Sequence, residues 1–408
     1  MLNFITGGVC AAQGFRAGGI HVGVKTHAAW KKDVALIVSD EDCACAAVYT
    51  KNAVKAAHIH VDKRHLADGK ARAAVINSGN ANACAPMGEE NAERVCAAAG
   101  KALGCRPEDV VVAATGVIGQ TLNVAVIEQG MPELCAAAAH TAAGSDAAAH
   151  AIMTTDTVKK ELAVETVIGG KTVRMGGIAK GSGMIHPNMG TMLCFLTTDC
   201  AISSEMIKSA LLETVQVSFN RISVDGDTST NDTCCVLANG LAGNPVITEK
   251  GPDYDAFVEA LRALCVELAK KMASDGEGAT HLITCTVTGA GSEQSAETVA
   301  KSVIGSALTK AAIFGADANW GRVLCAIGYS GAAVDVDKID VSFRSAKGQV
   351  DVCQKGAGIP FSEEEASLVL GEGEIEILIH LHMGQESAQA YGCDLTYDYV
   401  KINGDYRT

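Results

Sequence analysis

One glycine–threonine pair in this sequence combines residue types that could carry out chemistry. Gly190 and Thr191 separate a loop rich in Gly, Ser, Pro and Asn from the apolar run 192–196, and Lys180 lies eleven positions before the threonine. A threonine hydroxyl is a weak nucleophile, but the amine of an N-terminal threonine can activate it as a base. Cleavage of the chain before Thr191 would create that amine. The alternative is that Thr191 only begins a strand, since threonine favours strands.

A second pair, Thr115 and Gly116, follows the apolar run 110–114. A hydroxyl and a backbone N–H at the end of a strand can point at one developing negative charge, and glycine lets a substrate approach closely. A simple turn that ends the strand would have the same sequence. Lys180 could bind a substrate carboxylate or lower the pKa of a nearby amine. Its alternative is a solvated lysine in a loop.

The sequence does not support a metal or nucleotide site. The acidic segment 225–232 has the outline of an EF-hand loop, but Thr230 stands where glycine is needed and Val236 where glutamate is needed. A tightly hydrogen-bonded structural loop is therefore expected there. The sequence contains neither a dinucleotide fingerprint nor a Walker A motif. Two histidine pairs are interpreted as strand residues that share one face, without a third metal ligand: His58 with His60, and His380 with His382.

The composition is that of a packed globular protein. Of the 408 residues, 48% are hydrophobic and 20% are charged, which argues against disorder. The 16 cysteines include no C-x-x-C motif, so buried free thiols in a reducing cytoplasm are expected. A signal peptide and a membrane span are not expected, because the N-terminus lacks a basic start before an apolar core and the longest uncharged stretches contain polar residues.

The charge is divided unevenly along the chain. Residues 1–190 carry 18 Lys+Arg against 17 Asp+Glu, whereas residues 191–408 carry 15 against 30, so the net charge of −14 comes from the second half. Neither half has the basic footprint that nucleic-acid binding requires. An acidic surface mainly favours solubility.

The elements that must position these residues indicate a mixed α/β, or α+β, fold with helices layered on sheet. Apolar alternation predicts strands within 20–49 and at 54–61, and apolar runs predict strands before Thr115 and after Thr191. A Gly-Gly pair predicts a hairpin within 161–183. Helices are predicted at 89–103, 132–150, 203–218, 253–273 and 293–310, later strands at 281–289, 340–353 and 373–382, and a docked strand in the alternating C-terminal tail.

Eight motifs stand in consistent order from Asn77 to Thr408: NSGNANACAP, ATGVIGQ, MTTDT, KGSGMIHPNMGTMLCFLTTD, RISVDGDTSTNDT, SDGEGATH, FGADANWGRV and YDYVKINGDYRT. Together they resemble the ornithine acetyltransferase family, also called glutamate N-acetyltransferases, of arginine biosynthesis. Eight motifs in register are far more specific than any one of them. Gly190 and Gly404 stand where many members carry alanine, which exchanges one small residue for another.

The resemblance implies self-cleavage between Gly190 and Thr191. It would give an α chain, 1–190, and a β chain, 191–408, which form the catalytic core together. Thr191 Oγ would attack the acetyl carbonyl of N-acetyl-L-ornithine, release ornithine and pass the acetyl group to L-glutamate in a ping-pong transfer. The residues that match the family's oxyanion hole are Thr115 and Gly116, and those that match its substrate contacts are Thr154, Lys180, Thr191, Glu277, Asn403 and Thr408.

The resemblance also implies the partners of the enzyme. They are small-molecule substrates, with no nucleic acid, membrane, metal or other cofactor, and the chains are expected to form a heterotetramer of two α and two β chains. Family members divide into those that also use acetyl-CoA and those that do not, so that substrate stays open. Two other functions remain as alternatives. One is a self-processing amidase or aminopeptidase that passes the acyl group to water, and the other is a binding protein that has lost its activity.

Overall fold

The computed structural model describes residues 2–26, 30–186 and 192–405. These residues form sixteen strands and eleven α-helices, which confirms the mixed α/β class. The strands are β1 (Asn3–Ile5), β2 (Phe15–Ile20), β3 (Val34–Tyr49), β4 (Lys70–Asn77), β5 (Val110–Ala114), β6 (Lys160–Ile168), β7 (Lys171–Lys180), β8 (Leu193–Thr198), β9 (Ile222–Ser223), β10 (Thr233–Ala238), β11 (Leu282–Ala290), β12 (Asp340–Ser345), β13 (Gly348–Gln354), β14 (Ala357–Gly358), β15 (Glu374–His380) and β16 (Glu386–Cys393). The helices are α1 (Ala57–His65), α2 (Gly88–Leu103), α3 (Val124–Ala137), α4 (Ala142–Ala151), α5 (Ser204–Val217), α6 (Pro252–Ser274), α7 (Glu293–Gly305), α8 (Ala307–Phe314), α9 (Trp320–Gly328), α10 (Glu363–Leu370) and α11 (Tyr397–Asp405).

The first sheet contains the strands next to which most candidate residues lie. Among the described residues its order is β1-β6-β7-β8-β10-β3-β4-β5, with β2 paired to β3. Strand β8 lies between β7, which is antiparallel to it, and β10, which is parallel. Leu193 at the start of β8 is therefore opposite both Lys180, the last residue of β7, and Thr233, the first residue of β10. The chain before β8, the chain before β10 and the chain after β7 meet at one end of this sheet.

Strand β8 packs against a different core on each face. Leu193 and Phe195 belong to one apolar cluster with residues of α4, whereas Cys194 and Leu196 belong to another with residues of α5 and α6. Successive side chains of a strand point to opposite faces of its sheet. Both faces are therefore covered by helices, which explains why the run 192–196 is apolar throughout.

Helix α6 lies between the two sheets. Pro252 in its first turn, with Asp253 and Asp255 beside it, suits a helix N-terminus. Its apolar side chains, such as Phe257 and Leu264, pack with β6 and β7 of the first sheet and with β11 and β16 of the second. The described strands of the second sheet have the order β14-β13-β12-β15-β11-β16-β9, and α7 and α10 contact it.

Several predicted elements are confirmed. The Gly-Gly hairpin is formed by β6 and β7, whose connecting residues Gly169 and Gly170 both have positive φ. Helices α2, α5 and α6 agree with three of the predicted helices, and β5, β8 and β11 with three of the predicted strands. These segments share long apolar runs or strong helical periodicity, which are the most informative sequence signals.

Two predicted helices are each divided in two. The run 132–150 contains the end of α3 and all but the last residue of α4, and the run 293–310 contains α7 and the start of α8. Each break carries a residue that begins a new helix: the Thr141 side chain accepts a hydrogen bond from the N–H of Gly144, and the Ser306 side chain accepts one from Thr309. Such N-cap side chains stabilise a helix start inside an otherwise periodic run.

The predicted strand at 54–61 is wrong, because α1 occupies this part of the chain. The apolar alternation spans only four residues, whereas the buried residues His58, Asp62 and His65 follow helical spacing. His58 and His60 therefore do not share a face. His58 is buried and His60 is exposed.

We expect acid to destabilise the protein through His58. Burial lowers the pKa of its imidazole from 6.5 to about 3, and neither ring nitrogen has a hydrogen-bond partner among the described residues. The unfolded chain binds the proton near pH 6.5, but the folded chain binds it only near pH 3. The free energy of unfolding should therefore fall as the pH drops through this window, by up to about 1.4 kcal/mol per pH unit. Urea denaturation at a series of pH values measures the slope.

The two histidines of α1 provide a matched pair of variants for this test. His58→Leu should flatten the pH dependence between these values, whereas His60→Leu, at an exposed position of the same helix, should leave it unchanged. An unchanged slope in His58→Leu would show that other groups cause the acid sensitivity.

The docked strand predicted for the C-terminal tail is also wrong. The tail forms α11, in which the Asn403 amide donates a hydrogen bond to the carbonyl of Tyr399 one turn earlier. Strand β16, which precedes the tail, already pairs with β11 on one side and β9 on the other. Both edges of β16 are occupied at Tyr391 and Gly392, near the end of the strand. Thr408 lies outside the described residues.

Candidate active site

A cavity of ≈370 Å³ lies where the ends of β5, β7 and β8 meet. Met192, which is bonded to Thr191, is one of its walls. Gly190, Thr191 and Thr408 lie outside the described residues. The other residues predicted to act in the site all line this cavity: Thr115, Gly116, Thr154, Lys180, Glu277 and Asn403.

Gly116 provides a backbone donor at the cavity wall. Its φ is +124°, and an added Cβ would lie 2.6 Å from the carbonyl carbon of Gly79 and 2.8 Å from the nitrogen of Asn80. Only glycine fits this conformation and this close approach. With the Thr115 side chain on the same wall, the site contains two potential donors for an oxyanion.

Lys180 is the one cationic side chain among the described residues that line the cavity. It ends β7, is 7% exposed, and its Nζ lies 3.9 Å from Oδ2 of Asp156. Burial lowers the pKa of the Lys180 amine, and the charge of Asp156 opposes this shift. The alternative of a solvated loop lysine is therefore wrong, since Lys180 is a buried cation that lines the cavity.

Glu277 places a carboxylate in the same cavity. It is 8% exposed, its N–H donates to the carbonyl of Ser182 at 3.0 Å, and its Oε2 accepts a hydrogen bond from Asn403 Nδ2 at 2.7 Å. An added Cβ on Gly183 would lie 2.4 Å from the Glu277 carboxyl carbon, so glycine leaves the room that this carboxylate occupies. A cation and an anion on one cavity suit a substrate that carries both an ammonium and a carboxylate group.

Sequence reasoning missed Asp232, which also lines the cavity. It is 1% exposed, and neither carboxylate oxygen has a hydrogen-bond partner among the described residues. Burial raises the pKa of the Asp232 carboxyl well above its ordinary value, although the nearby Thr50 hydroxyl and the charge of Lys180 oppose the shift. The sequence feature that could have identified Asp232 is the acidic segment 225–232, which is interpreted from the sequence as a structural loop.

The rest of that loop behaves as a structural element. Asp225 accepts hydrogen bonds from the N–H groups of Met184, Ile185 and Asp227. Within the described residues, no group of three or more His, Cys, Asp or Glu side chains is arranged to hold a metal ion. None of the helices in that part of the chain is both long and apolar enough to cross a membrane.

The ArgJ family model matches residues 16–408. The chain belongs to the ArgJ family. The arginine biosynthesis bifunctional protein ArgJ of Symbiobacterium thermophilum is 50% identical over 408 residues, which cover 100% of both chains, and that of Halalkalibacterium halodurans is 47% identical over 411 residues, which cover 100% of this chain and 98% of the relative. A crystal structure of Mycobacterium tuberculosis ornithine acetyltransferase with ornithine contains a chain that is 35% identical and matches over 46% of this chain and 100% of its own, with a TM-score of 0.43. As an ArgJ family member, the protein is an acyltransferase of arginine biosynthesis.

Proposed function

We propose that this ArgJ family member transfers an acetyl group from N-acetyl-L-ornithine to L-glutamate through acetyl-Thr191, after it cleaves itself between Gly190 and Thr191. One observation carries the proposal. The cavity lined by Met192 is also lined by Thr115 and Gly116, by a buried cation, Lys180, and by a buried carboxylate, Glu277. Thr191 is bonded to Met192, a residue of this cavity wall.

The charges in the cavity fit both substrates. N-Acetylornithine has a carboxylate at one end and a free ammonium on its side chain, and glutamate also has an α-carboxylate. We assign the shared carboxylate to Lys180 and the side-chain ammonium of acetylornithine to Glu277, because charge-assisted hydrogen bonds orient such groups strongly. Asn403 holds Glu277 through its 2.7 Å hydrogen bond, and Thr154 and Thr408 complete the substrate contacts.

In the first half of the reaction, Thr191 Oγ attacks the acetyl carbonyl while the Thr191 amine accepts the hydroxyl proton. The Gly116 N–H and the Thr115 hydroxyl stabilise the negative oxygen of the tetrahedral intermediate. The amide C–N bond then breaks and the proton passes to the departing ornithine amine. In the second half, the glutamate amine attacks the acetyl-threonine ester and releases the Thr191 hydroxyl.

Self-cleavage uses the same hydroxyl on a different carbonyl. Thr191 Oγ attacks the carbonyl of Gly190, the peptide C–N bond breaks, and the proton passes to the Thr191 nitrogen, which becomes an amine. Water then hydrolyses the ester between Gly190 and Thr191. This gives the α chain 1–190 a terminal carboxylate and restores the hydroxyl that begins the β chain 191–408.

We extend the proposal to acetyl-CoA as a second acetyl donor. The relatives at 50% and 47% identity are named bifunctional proteins. A second cavity of ≈490 Å³ adjoins the first and shares Gly116 and Thr154 as walls. It offers space for the bulk of a larger donor whose acetyl group reaches the oxyanion donors.

One assay tests the proposed function. The purified protein is incubated with N-acetylornithine and glutamate, and formation of N-acetylglutamate and ornithine is measured, with acetyl-CoA replacing acetylornithine in a parallel reaction. Equal amounts of ornithine and N-acetylglutamate support the transfer. Ornithine with free acetate and no N-acetylglutamate would instead indicate an amidase that uses water. Absence of both products would contradict any catalytic function of the cavity with these substrates.

We expect Glu277→Gln to impair the first half of the reaction selectively. The substitution removes the charge that faces the ammonium of acetylornithine, but glutamate has no side-chain ammonium. KM for acetylornithine should rise about tenfold or more, as expected for loss of a charge-assisted contact, while KM for glutamate changes little. Steady-state kinetics with each substrate varied in turn measures both values. An equal rise in both would assign Glu277 to a structural role.

The assembly and location of the enzyme complete the proposal. We expect two α and two β chains in one particle, which light scattering of the cleaved protein can measure. All sixteen cysteines are free thiols in the structure, which supports a reducing compartment such as the cytoplasm.

A further inference from the structure

Three buried charged residues form a cluster behind the cavity: Asp156, Lys160 and Asp275. Lys160 Nζ donates hydrogen bonds to Asp156 Oδ1 at 2.6 Å and to Asp275 Oδ2 at 2.5 Å. None of the three lines the cavity. The sequence analysis gave them no role, although Asp156 stands in the motif MTTDT and Asp275 in SDGEGATH.

Asp156 connects the cluster to two predicted substrate contacts. Its Oδ1 also accepts a hydrogen bond from the N–H of Gly181 at 2.8 Å, and its Oδ2 accepts one from the N–H of Thr154 at 3.0 Å. The same Oδ2 lies 3.9 Å from Lys180 Nζ. The buried carboxylate of Asp156 thus binds the backbone at two segments of the cavity wall, and it lies next to the cation of that wall, Lys180.

Asp275 connects the cluster to Glu277, the third predicted substrate contact, but this connection runs only through backbone groups of Asp275 and Glu277. Its carbonyl accepts a hydrogen bond from Ser182 Oγ at 2.6 Å, and the carbonyl of Ser182 accepts one from the N–H of Glu277 at 3.0 Å. The Asp275 carboxylate itself bonds Lys160 and Thr157. The carboxylate of Asp275 therefore contributes to the cluster without a hydrogen bond to any described residue of the cavity wall.

The charges of this region balance only when Lys180 is included. Asp156 and Asp275 supply two negative charges, and Lys160 and Lys180 supply two positive charges. A buried ion cluster stabilises a fold no better than well-packed apolar side chains would. Because stability alone does not explain a buried ion cluster directly behind a binding cavity, we expect it to have a function in that cavity.

We propose that Asp156 is a positioning residue of the acetyl transfer: it holds Thr154 and Lys180 at the cavity wall and keeps Lys180 protonated to bind substrate carboxylates. The proposal rests on the function proposed above. Although burial opposes ionisation, the Lys180 and Lys160 ammoniums hold the pKa of Asp156 below its usual range, so Asp156 is a carboxylate at working pH.

The charged groups around Lys180 determine in which direction loss of the Asp156 charge shifts the pKa of Lys180. Burial and the Lys160 ammonium lower its pKa, whereas Asp156, Glu277 and Asp232 raise it. Lys25, from the adjoining cavity, is a further cation near Lys180. Removing the charge of Asp156 therefore lowers the pKa of Lys180. The amine then loses its proton at a lower pH, and carboxylate binding is lost there.

The test is Asp156→Asn in the full, self-cleaved enzyme, with kcat/KM measured against pH for each substrate. The alkaline limb of the profile should move to lower pH by about one to three units, the usual effect of an opposite charge at this distance. On that limb, KM for both acetylornithine and glutamate should rise about tenfold while kcat changes less, because binding of the common carboxylate is lost.

Asp275→Asn is the matched control, since it removes an equal charge from the same cluster but leaves every contact of Asp156 in place. We expect it to lower the thermal midpoint without moving the alkaline limb. An identical shift in both variants, or none in Asp156→Asn, would overturn the proposal. If Asp156→Asn does not fold, the charge-balanced variant with Asp156→Asn and Lys160→Gln should show a smaller shift in the same direction, because Lys160 lowers the pKa of Lys180 by less than Asp156 raises it. Absence of any shift there would also overturn the proposal. Inactive wild-type enzyme would contradict the proposed function itself.

Discussion

Replacement of Thr191 by alanine is expected to give a single uncleaved chain that transfers no acetyl group. The hydroxyl is the nucleophile in both proposed reactions, so its loss leaves neither self-cleavage nor an acetyl-enzyme. Loss of the activated nucleophile lowers turnover by about 10⁶-fold in a serine protease, and we expect an effect of similar size here. Denaturing mass spectrometry measures the chains, and the assay with acetylornithine and glutamate measures the transfer.

Thr191→Ser is the matched control for this prediction. Serine keeps the hydroxyl, so the chain should still separate into 1–190 and 191–408, and some transfer should remain. A cleaved Thr191→Ala protein would place the cut or the nucleophile elsewhere. An uncleaved wild-type protein with full activity would show that acetyl transfer does not need an N-terminal amine on Thr191.

The second large effect is expected at the oxyanion donors. Thr115→Ala should lower kcat by about 10²–10³-fold with little change in KM, because a donor to the oxyanion acts mainly in the transition state. The backbone donor of Gly116 remains in this variant and should account for the residual rate. Thr115→Ser retains a hydroxyl on the same wall of the cavity and should keep most of the activity. A loss of less than a few-fold in Thr115→Ala would assign Thr115 to the strand-terminating turn alone.

Most of the candidate residues, such as Glu277 and Asn403, could be predicted only from the resemblance of their motifs to a known family, whereas the ends of strands gave a separate physical reason for Thr115. Thr115 follows β5 and Lys180 ends β7, and the pairing of β7 with β8 then places Lys180 opposite Leu193. Long apolar runs specify buried strands such as β8 without regard to the rest of the chain. The structure brings these predicted residues to one cavity, and their roles remain proposals.

What sequence reasoning missed depends on contacts between distant segments. Helix α1 forms where the sequence has a four-residue apolar alternation, and the tail forms α11 although its residues also alternate. Asp156 and Asp232 look like ordinary polar residues of loops in the sequence. Their importance comes from burial beside Lys180, which only the assembled sheet creates.

The central claim is that the acetyl group resides on Thr191 between the two substrates. The most direct test is to mix the purified enzyme with N-acetylornithine alone, quench at once with acid, and measure the masses of both chains and the ornithine released. The account predicts one acetyl group on the chain 191–408, located at Thr191 by fragmentation, with one ornithine released per site and deacetylation when glutamate is added. An unmodified chain 191–408 in enzyme that turns over both substrates would contradict it and indicate direct transfer between them.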